Sequence, residues 1–162
     1  MLSPANLIAT ARVLSDSALQ ETDPEQAQSH LKRAVSTAYY AMFHAVCASA
    51  AELLPDASAD PVTSAAWLQA YRGPEHTHAR NQCRNSGLMA PFPTEIREFA
   101  RIFVENQGHR NQADYNPLFD FSPSYVSQII EDAENAINGL LSAPAAIRRA
   151  FVVTALLRNR TS

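Results

Sequence analysis

Four Ser-Pro or Asp-Pro pairs divide this chain, and each precedes a segment in which apolar residues recur at helical spacing. The pairs are Ser3-Pro4, Asp23-Pro24, Asp60-Pro61 and Ser122-Pro123. Serine and aspartate are preferred N-cap residues, and proline is favoured at the first helical position because its missing N–H would lack an intrahelical partner there. The repeated pair therefore predicts four helix starts in a mainly helical chain.

These starts, together with apolar periodicity and the positions of proline and glycine, predict seven helical segments. The chain has only 4 glycines and no alternating pattern typical of strands, which disfavours a turn-rich β fold. We expect an all-α fold, an up-and-down bundle of five to seven helices, with a loop from Gly87 to Pro93. The predicted helices run from Pro4 to Leu19, Pro24 to Leu54, Pro61 to Tyr71, Glu75 to Arg84, Thr94 to Tyr115, Pro123 to Leu140, and from Pro144 through Leu156.

The composition indicates one domain spanning residues 1–162, whose last segment, 144–160, is a basic amphipathic helix. With 46% hydrophobic residues the chain can bury a core without disulfides. A net charge of −3 excludes a globally basic nucleic-acid binder, although a local basic patch is compatible with it. No signal peptide and no apolar run of transmembrane length occur, so we expect a soluble, cytoplasmic protein without membrane contact.

The predicted second helix carries a polar face opposite its apolar one. At about 100° per residue, Arg33, Thr37, Tyr40 and His44 form a stripe on the side away from the apolar residues. A purely structural surface would show solvated Glu and Lys there. An arginine, a tyrosine and a histidine at successive turns indicate a face occupied by a partner helix or a ligand. The apolar stripe consists of Leu31, Val35, Tyr39, Met42 and Val46.

The inward face of the helix that begins at Thr94 turns polar in its last two turns. Gln107, Arg110 and Asp114 project within about 40° of the apolar stripe of that helix. Arg110 and Asp114 are i,i+4 neighbours that can form an ion pair. One interpretation is a salt bridge that finishes a helix end. The other is that Asp114 orients the Arg110 guanidinium into a cleft, where it could bind phosphate in a bidentate way.

Two motifs resemble those of the HEPN superfamily. The run Ala38–Ala45 reads AYYAMFHA and is similar to the YYAMFHA signature of that superfamily, and Arg110–Tyr115 resembles its R-x-x-A-D-Y segment. Ile130–Ile137 is similar to the closing helix of the family. The resemblance covers roughly residues 23–141, with the two main motifs in the expected order.

The resemblance implies a helical bundle that forms a homodimer, often within prokaryotic toxin–antitoxin or defence systems. Many members are metal-independent RNases, while others bind nucleotides or RNA, or act with a nucleotidyltransferase or antitoxin partner. The RNase members carry a histidine four to six residues after an arginine, and no histidine stands there after Arg110. Arg72 and His78 have that spacing, but Gly73-Pro74 interrupts the helix between them.

Three functions remain open from the sequence. The first is a dimeric module that binds a nucleotide or RNA phosphate. The second is an endoribonuclease in which Arg110 contacts the phosphate and His44 or His76 performs acid–base chemistry. The third is a structural or protein-interaction bundle. No cofactor or metal is expected, because His76 and His78 have no second pair of ligands at metal spacing. The ligand-binding residues would be Arg33, Tyr40, Arg110, Asp114 and Tyr115.

Overall fold

The computed structural model describes residues 2–54 and 60–157, and these form eight helices without any strand. The expected all-α helical bundle is confirmed. The helices are α1 (Pro4–Gln20), α2 (Pro24–Ala51), α3 (Pro61–Arg72), α4 (His76–Arg84), α5 (Ser86–Met89), α6 (Thr94–Tyr115), α7 (Pro123–Ser142) and α8 (Ala145–Leu156).

The eighth helix, α5, lies in the segment that we expected to be a loop from Gly87 to Pro93, so that prediction is wrong at its start. The Asn85 side chain caps this single turn by accepting a hydrogen bond from the Leu88 N–H at 3.2 Å. One turn is too short to show apolar periodicity, which is why the sequence pattern did not indicate it.

Three of the four Ser-Pro or Asp-Pro pairs begin a helix with a side-chain cap. Asp23 accepts from the N–H of Glu25 at 3.1 Å, and Asp60 accepts from that of Val62 at 2.7 Å. Ser122 caps α7 in the same way. Ser3 occupies the N-cap position of α1, but its side chain makes no capping hydrogen bond. The proline at the first helical position is therefore enough to start α1 at the predicted place.

Helix α2 is the centre of the bundle, and α1, α3, α6, α7 and α8 all pack against it. Its apolar stripe is buried as the helical spacing predicts. Tyr39 and Met42 are fully buried. The Tyr39 ring stacks on Phe103 of α6 with centres 5.5 Å apart, and the side-chain amide of Asn106 on α6 donates to the Met42 sulfur at 3.3 Å. The same packing turns the polar face of α2 towards the end of α6 and the start of α4.

Helix α8 is tied to the bundle by Arg148, whose side chain is only 17% exposed. Its guanidinium contacts the Glu52 carboxylate at 2.9 Å and donates to the carbonyls of Leu141 and Ala143. This arginine therefore has a structural partner at the end of α2. The predicted continuation of the helix to position 160 lies outside the described residues.

Within residues 2–54 and 60–157, no single helix combines the length and hydropathy that a membrane span requires. Helices α7 and α8 meet those two criteria only when taken together, and they are bent by 116° relative to each other.

Candidate functional site

The polar face of α2 meets the last turns of α6 at Asp114. Its Oδ2 lies 2.7 Å from Arg110 Nε, and its Oδ1 lies 3.3 Å from Arg33 Nη2 on α2. The same Oδ1 accepts a hydrogen bond from the Ser36 hydroxyl, which is buried. With a side chain that is 13% exposed, Asp114 connects the two helices and holds both arginines.

Arg110 is held on three sides. Its Nη2 donates to the Tyr40 hydroxyl at 3.0 Å, and its Cζ lies 5.6 Å from the centre of the Tyr40 ring. Cζ also lies 5.4 Å from the centre of the Tyr115 ring. The Nε–H is not aimed at a carboxylate oxygen, so its contact with Asp114 is an ion pair and not an aligned hydrogen bond. The Arg110 side chain as a whole is 19% exposed, and its Nε atom is buried.

His76, at the start of α4, extends this group of side chains. Its ring stacks on Phe43 with centres 3.7 Å apart and meets the edge of Tyr40 at 6.0 Å. Its Nδ1 lies 2.6 Å from the Tyr39 hydroxyl. The pKa of His76 is lowered, first by burial and then by electrostatic interaction with Arg110 and with the protonated form of His44. His76 is therefore a neutral imidazole near pH 7.

The protonation of His76 follows from Tyr39. Burial raises the pKa of the Tyr39 phenol well above its usual range, so the hydroxyl keeps its proton. Tyr39 has no other hydrogen-bond acceptor within the described parts of the chain, so it donates to Nδ1 of His76. The ring proton of His76 then resides on Nε2. The unprotonated nitrogen, Nδ1, already accepts the hydrogen bond from Tyr39.

His44 lies further along the same face of α2 and contacts α3. Its Nδ1 is 2.6 Å from the hydroxyl of Tyr71, and that ring stacks on Trp67 at 5.4 Å. Burial lowers the pKa of His44 and raises that of Tyr71. The neutral imidazole of His44 and the phenol of Tyr71 therefore share one hydrogen bond between α2 and α3.

A single chain therefore brings together six of the residues that the sequence singled out. Arg110, Asp114 and Tyr115 come from α6, Arg33 and Tyr40 from α2, and His76 from α4. His44 makes no hydrogen bond or ion pair with Arg110 within the described residues, and its own hydrogen-bond partner is Tyr71 of α3. We name the contacting set the Arg110 cluster, and it consists of Arg33, Ser36, Tyr40, His76, Arg110, Asp114 and Tyr115.

Sequence reasoning missed two contributors to this site. The first is Ser36, whose hydroxyl donates to Asp114. The signal that could have found it is its position three residues after Arg33, which places it beside the polar stripe. Phe43 forms the surface on which His76 lies, and nothing in the sequence indicates that contact, because α4 is brought to α2 by tertiary packing alone.

Other candidate groups lie apart from the cluster or are structural. His109 faces α7, where its Nδ1 is 3.4 Å from the Tyr125 hydroxyl. Gln107 is buried as its helical angle predicts, and its Oε1 has no hydrogen-bond donor within the described residues. No group of three or more His, Cys, Asp or Glu side chains with the geometry for a metal ion occurs in residues 2–54 and 60–157.

Comparison with known proteins found no matching family model, no similar curated protein and no similar solved structure. The likeness to HEPN domains therefore depends on the two motifs and stays a prediction. The chemistry of the site has to be argued from its own residues.

Proposed function

We propose that the Arg110 cluster binds the phosphate group of a nucleotide or of RNA, in a HEPN-like domain that acts as a homodimer. The observation that carries this proposal is the position of Arg110. Its guanidinium is held by Asp114 and Tyr40, its Cζ lies 5.4 Å from the centre of the exposed Tyr115 ring, and its side chain as a whole remains 19% exposed. A pre-oriented guanidinium suits phosphate because its planar fork presents several N–H donors at once.

The charges and rings around Arg110 support the same ligand. Arg33 and Arg110 together carry two positive charges against the single carboxylate of Asp114, so a positive charge remains for an anion. Tyr115 is 71% exposed and could stack on a base whose phosphate contacts Arg110. The Nε2–H of His76 adds a neutral donor, and the His76 ring lies against Tyr40, the residue that accepts from Arg110.

The test is a binding titration with labelled oligoribonucleotide and with AMP, followed by fluorescence anisotropy and calorimetry. We expect Arg110→Ala to weaken binding about tenfold or more, because a hydrogen bond to a charged group contributes about 1.5–3 kcal/mol. Arg101→Ala is the matched control. Arg101 is also on α6 and paired with carboxylates, but its side chain is 53% exposed and remote from Tyr40. Equal losses in both variants, or no binding by the wild type, would contradict the proposal.

A metal-independent endoribonuclease is the second candidate. Tyr40 favours it, because this residue contacts both the guanidinium of Arg110 and the imidazole of His76, so a cation and an acid–base group lie in one region. RNA cleavage, however, needs a base for the 2′-hydroxyl. The Nδ1 atoms of both histidines are already engaged by tyrosine hydroxyls, which is why we rank phosphate binding first.

An RNA cleavage assay separates the two functions. We expect RNA incubated with the wild-type chain to stay intact. Fragmentation that is abolished by both Arg110→Ala and His76→Ala would favour the nuclease instead. A bundle that is only structural would show neither binding nor cleavage, and Arg110→Ala would then lower the melting temperature alone.

The biological setting of the proposal comes from the resemblance. A HEPN-like domain of this kind would belong to a toxin–antitoxin or defence system, with a nucleotidyltransferase or an antitoxin as partner. Identification of the neighbouring gene product, followed by co-purification with this chain, is the direct check.

A further inference from the structure

An open groove lies where the end of α4 and the short helix α5 meet α6. It encloses about 290 Å³ and is wide open to solvent. The floor of the groove is aliphatic and sulfur-containing, and it is formed by Cys83, Met89 and Val104. The rim is basic and carries three arginines, which are Arg84, Arg97 and Arg101. The groove therefore combines an apolar base with cationic edges.

The arginines beside this groove are only partly neutralised. Arg97 and Arg101 are i,i+4 neighbours on α6, and Arg80 and Arg84 have the same spacing on α4. Like charges at this spacing repel each other. Arg101 pairs with two glutamates of its own helix, whereas the other three form no ion pair with a carboxylate within residues 2–54 and 60–157. An anion that binds between the two helices would remove this repulsion.

The side chains of the groove favour a peptide over a nucleic acid. Guanidinium groups bind carboxylates through two parallel hydrogen bonds, and methionine adapts its shape to an apolar side chain. Arginine and methionine are also enriched where proteins contact each other. A nucleic-acid base needs an aromatic ring on which to stack, and none of the described residues that line the groove is aromatic.

The openness of the groove indicates a segment of a larger partner. Sites for small molecules enclose most of the ligand surface, which this groove does not do. An anchor side chain that belongs to a longer chain is held in addition by its neighbours along that chain.

We propose that this groove binds an acidic peptide segment of a partner protein. One aliphatic side chain of the segment lies on Met89 and Val104, and the flanking carboxylates contact Arg84 and Arg97. The site goes beyond the proposed function, because it is separate from the Arg110 cluster. At about 100° per residue, Arg97 and Arg110 point roughly 140° apart around α6.

The test is a titration of the isotope-labelled full chain with the acetylated and amidated pentapeptide EELEE, followed by the amide resonances of the protein. We expect saturable shifts centred on residues 83–89 and 97–105. Two matched peptides separate the contributions. QQLQQ lacks the charges and EESEE lacks the anchor, and each should bind about fivefold or more weakly than EELEE.

Charge reversal on the protein tests the same contacts. Arg84→Glu/Arg97→Glu should weaken the binding of EELEE about tenfold or more, because both rims then repel the peptide. Arg149→Glu is the control, since Arg149 is exposed on α8, has no ion pair within the described residues and does not line the groove. It should bind EELEE as the wild type does, and circular dichroism confirms that both variants fold.

Four results would overturn the proposal. They are the absence of saturable shifts at millimolar EELEE, shifts centred elsewhere, equal binding of the three peptides, and equal losses in the two charge-reversal variants. An oligoribonucleotide that displaces EELEE from residues 83–89 would overturn it as well, and would assign the groove to RNA. The phosphate-binding proposal is judged separately, because Arg110→Ala should leave the binding of EELEE unchanged.

Discussion

Replacement of Asp114 by alanine should destabilise the protein by about 3 kcal/mol. Ser36 is 3% exposed, and loss of its acceptor leaves a buried hydroxyl unpaired, which costs about 1–3 kcal/mol. Arg110, at 19% exposure, loses a charge partner that contributes about 1 kcal/mol. The contact with Arg33 adds almost nothing, since that side chain is 64% exposed.

The measurement is unfolding by urea and by heat. For a chain of this size the expected loss corresponds to a fall in melting temperature of roughly 6–12 °C. Asp114→Asn keeps an acceptor for Ser36 and should lose less. Glu98→Ala is the control, because Glu98 pairs with Arg101 on the same helix but both side chains are about half exposed. It should change stability by less than about 0.5 kcal/mol.

The reasoning would be refuted if Asp114→Ala were no more destabilising than Glu98→Ala. That result would mean that the carboxylate does not hold α2 and α6 together, and that Arg110 keeps its position without it.

Three further predictions concern other residues. The pKa of His76 in the folded chain is lowered below its ordinary value of 6.5 by burial and then by nearby positive charges. The stability linked to the neutral imidazole should be present above pH 6.5 and be lost as the pH falls towards the lowered pKa; His76→Gln should flatten this dependence in urea titrations between pH 7 and 5. Tyr39→Phe should cost about 1 kcal/mol in the same assay, because it removes the hydroxyl that donates to His76; an unchanged midpoint would mean that the bond contributes nothing. Burial raises the pKa of both the Cys47 and Cys83 thiols to about 12, so a thiol reagent should label them only after unfolding; rapid labelling of the folded chain would show that these sites open.

Local chemistry was enough to predict most of the helices. Proline at the first helical position and capping by Asp23 and Asp60 depend on residues next to each other in the chain, so α2 and α3 begin where the sequence indicates. Buried Tyr39 and Met42 follow from helical periodicity in the same way. The short helix α5 was not predicted, because a single turn is too short to show apolar periodicity.

The polar faces were also visible in the sequence, but their partners were not. Helical spacing put Arg33, Tyr40 and His44 on one side of α2, and it put Arg110 and Asp114 together on α6. Whether the two sets meet depends on how far each helix is rotated and shifted against the other. Only the packed structure decides this, since the core contacts of α2 and α6 set that register.

The contacts of His76 were even less predictable from the sequence. No spacing rule connects His76 with Tyr39 and Phe43, because they lie on different helices that tertiary packing brings together. The sequence therefore determined which side chains a helix presents. The tertiary structure decided that His76 is neutral, that Ser36 supports Asp114, and that the Arg110 cluster forms within one chain. Burial and distance set those properties, and both arise only when helices pack.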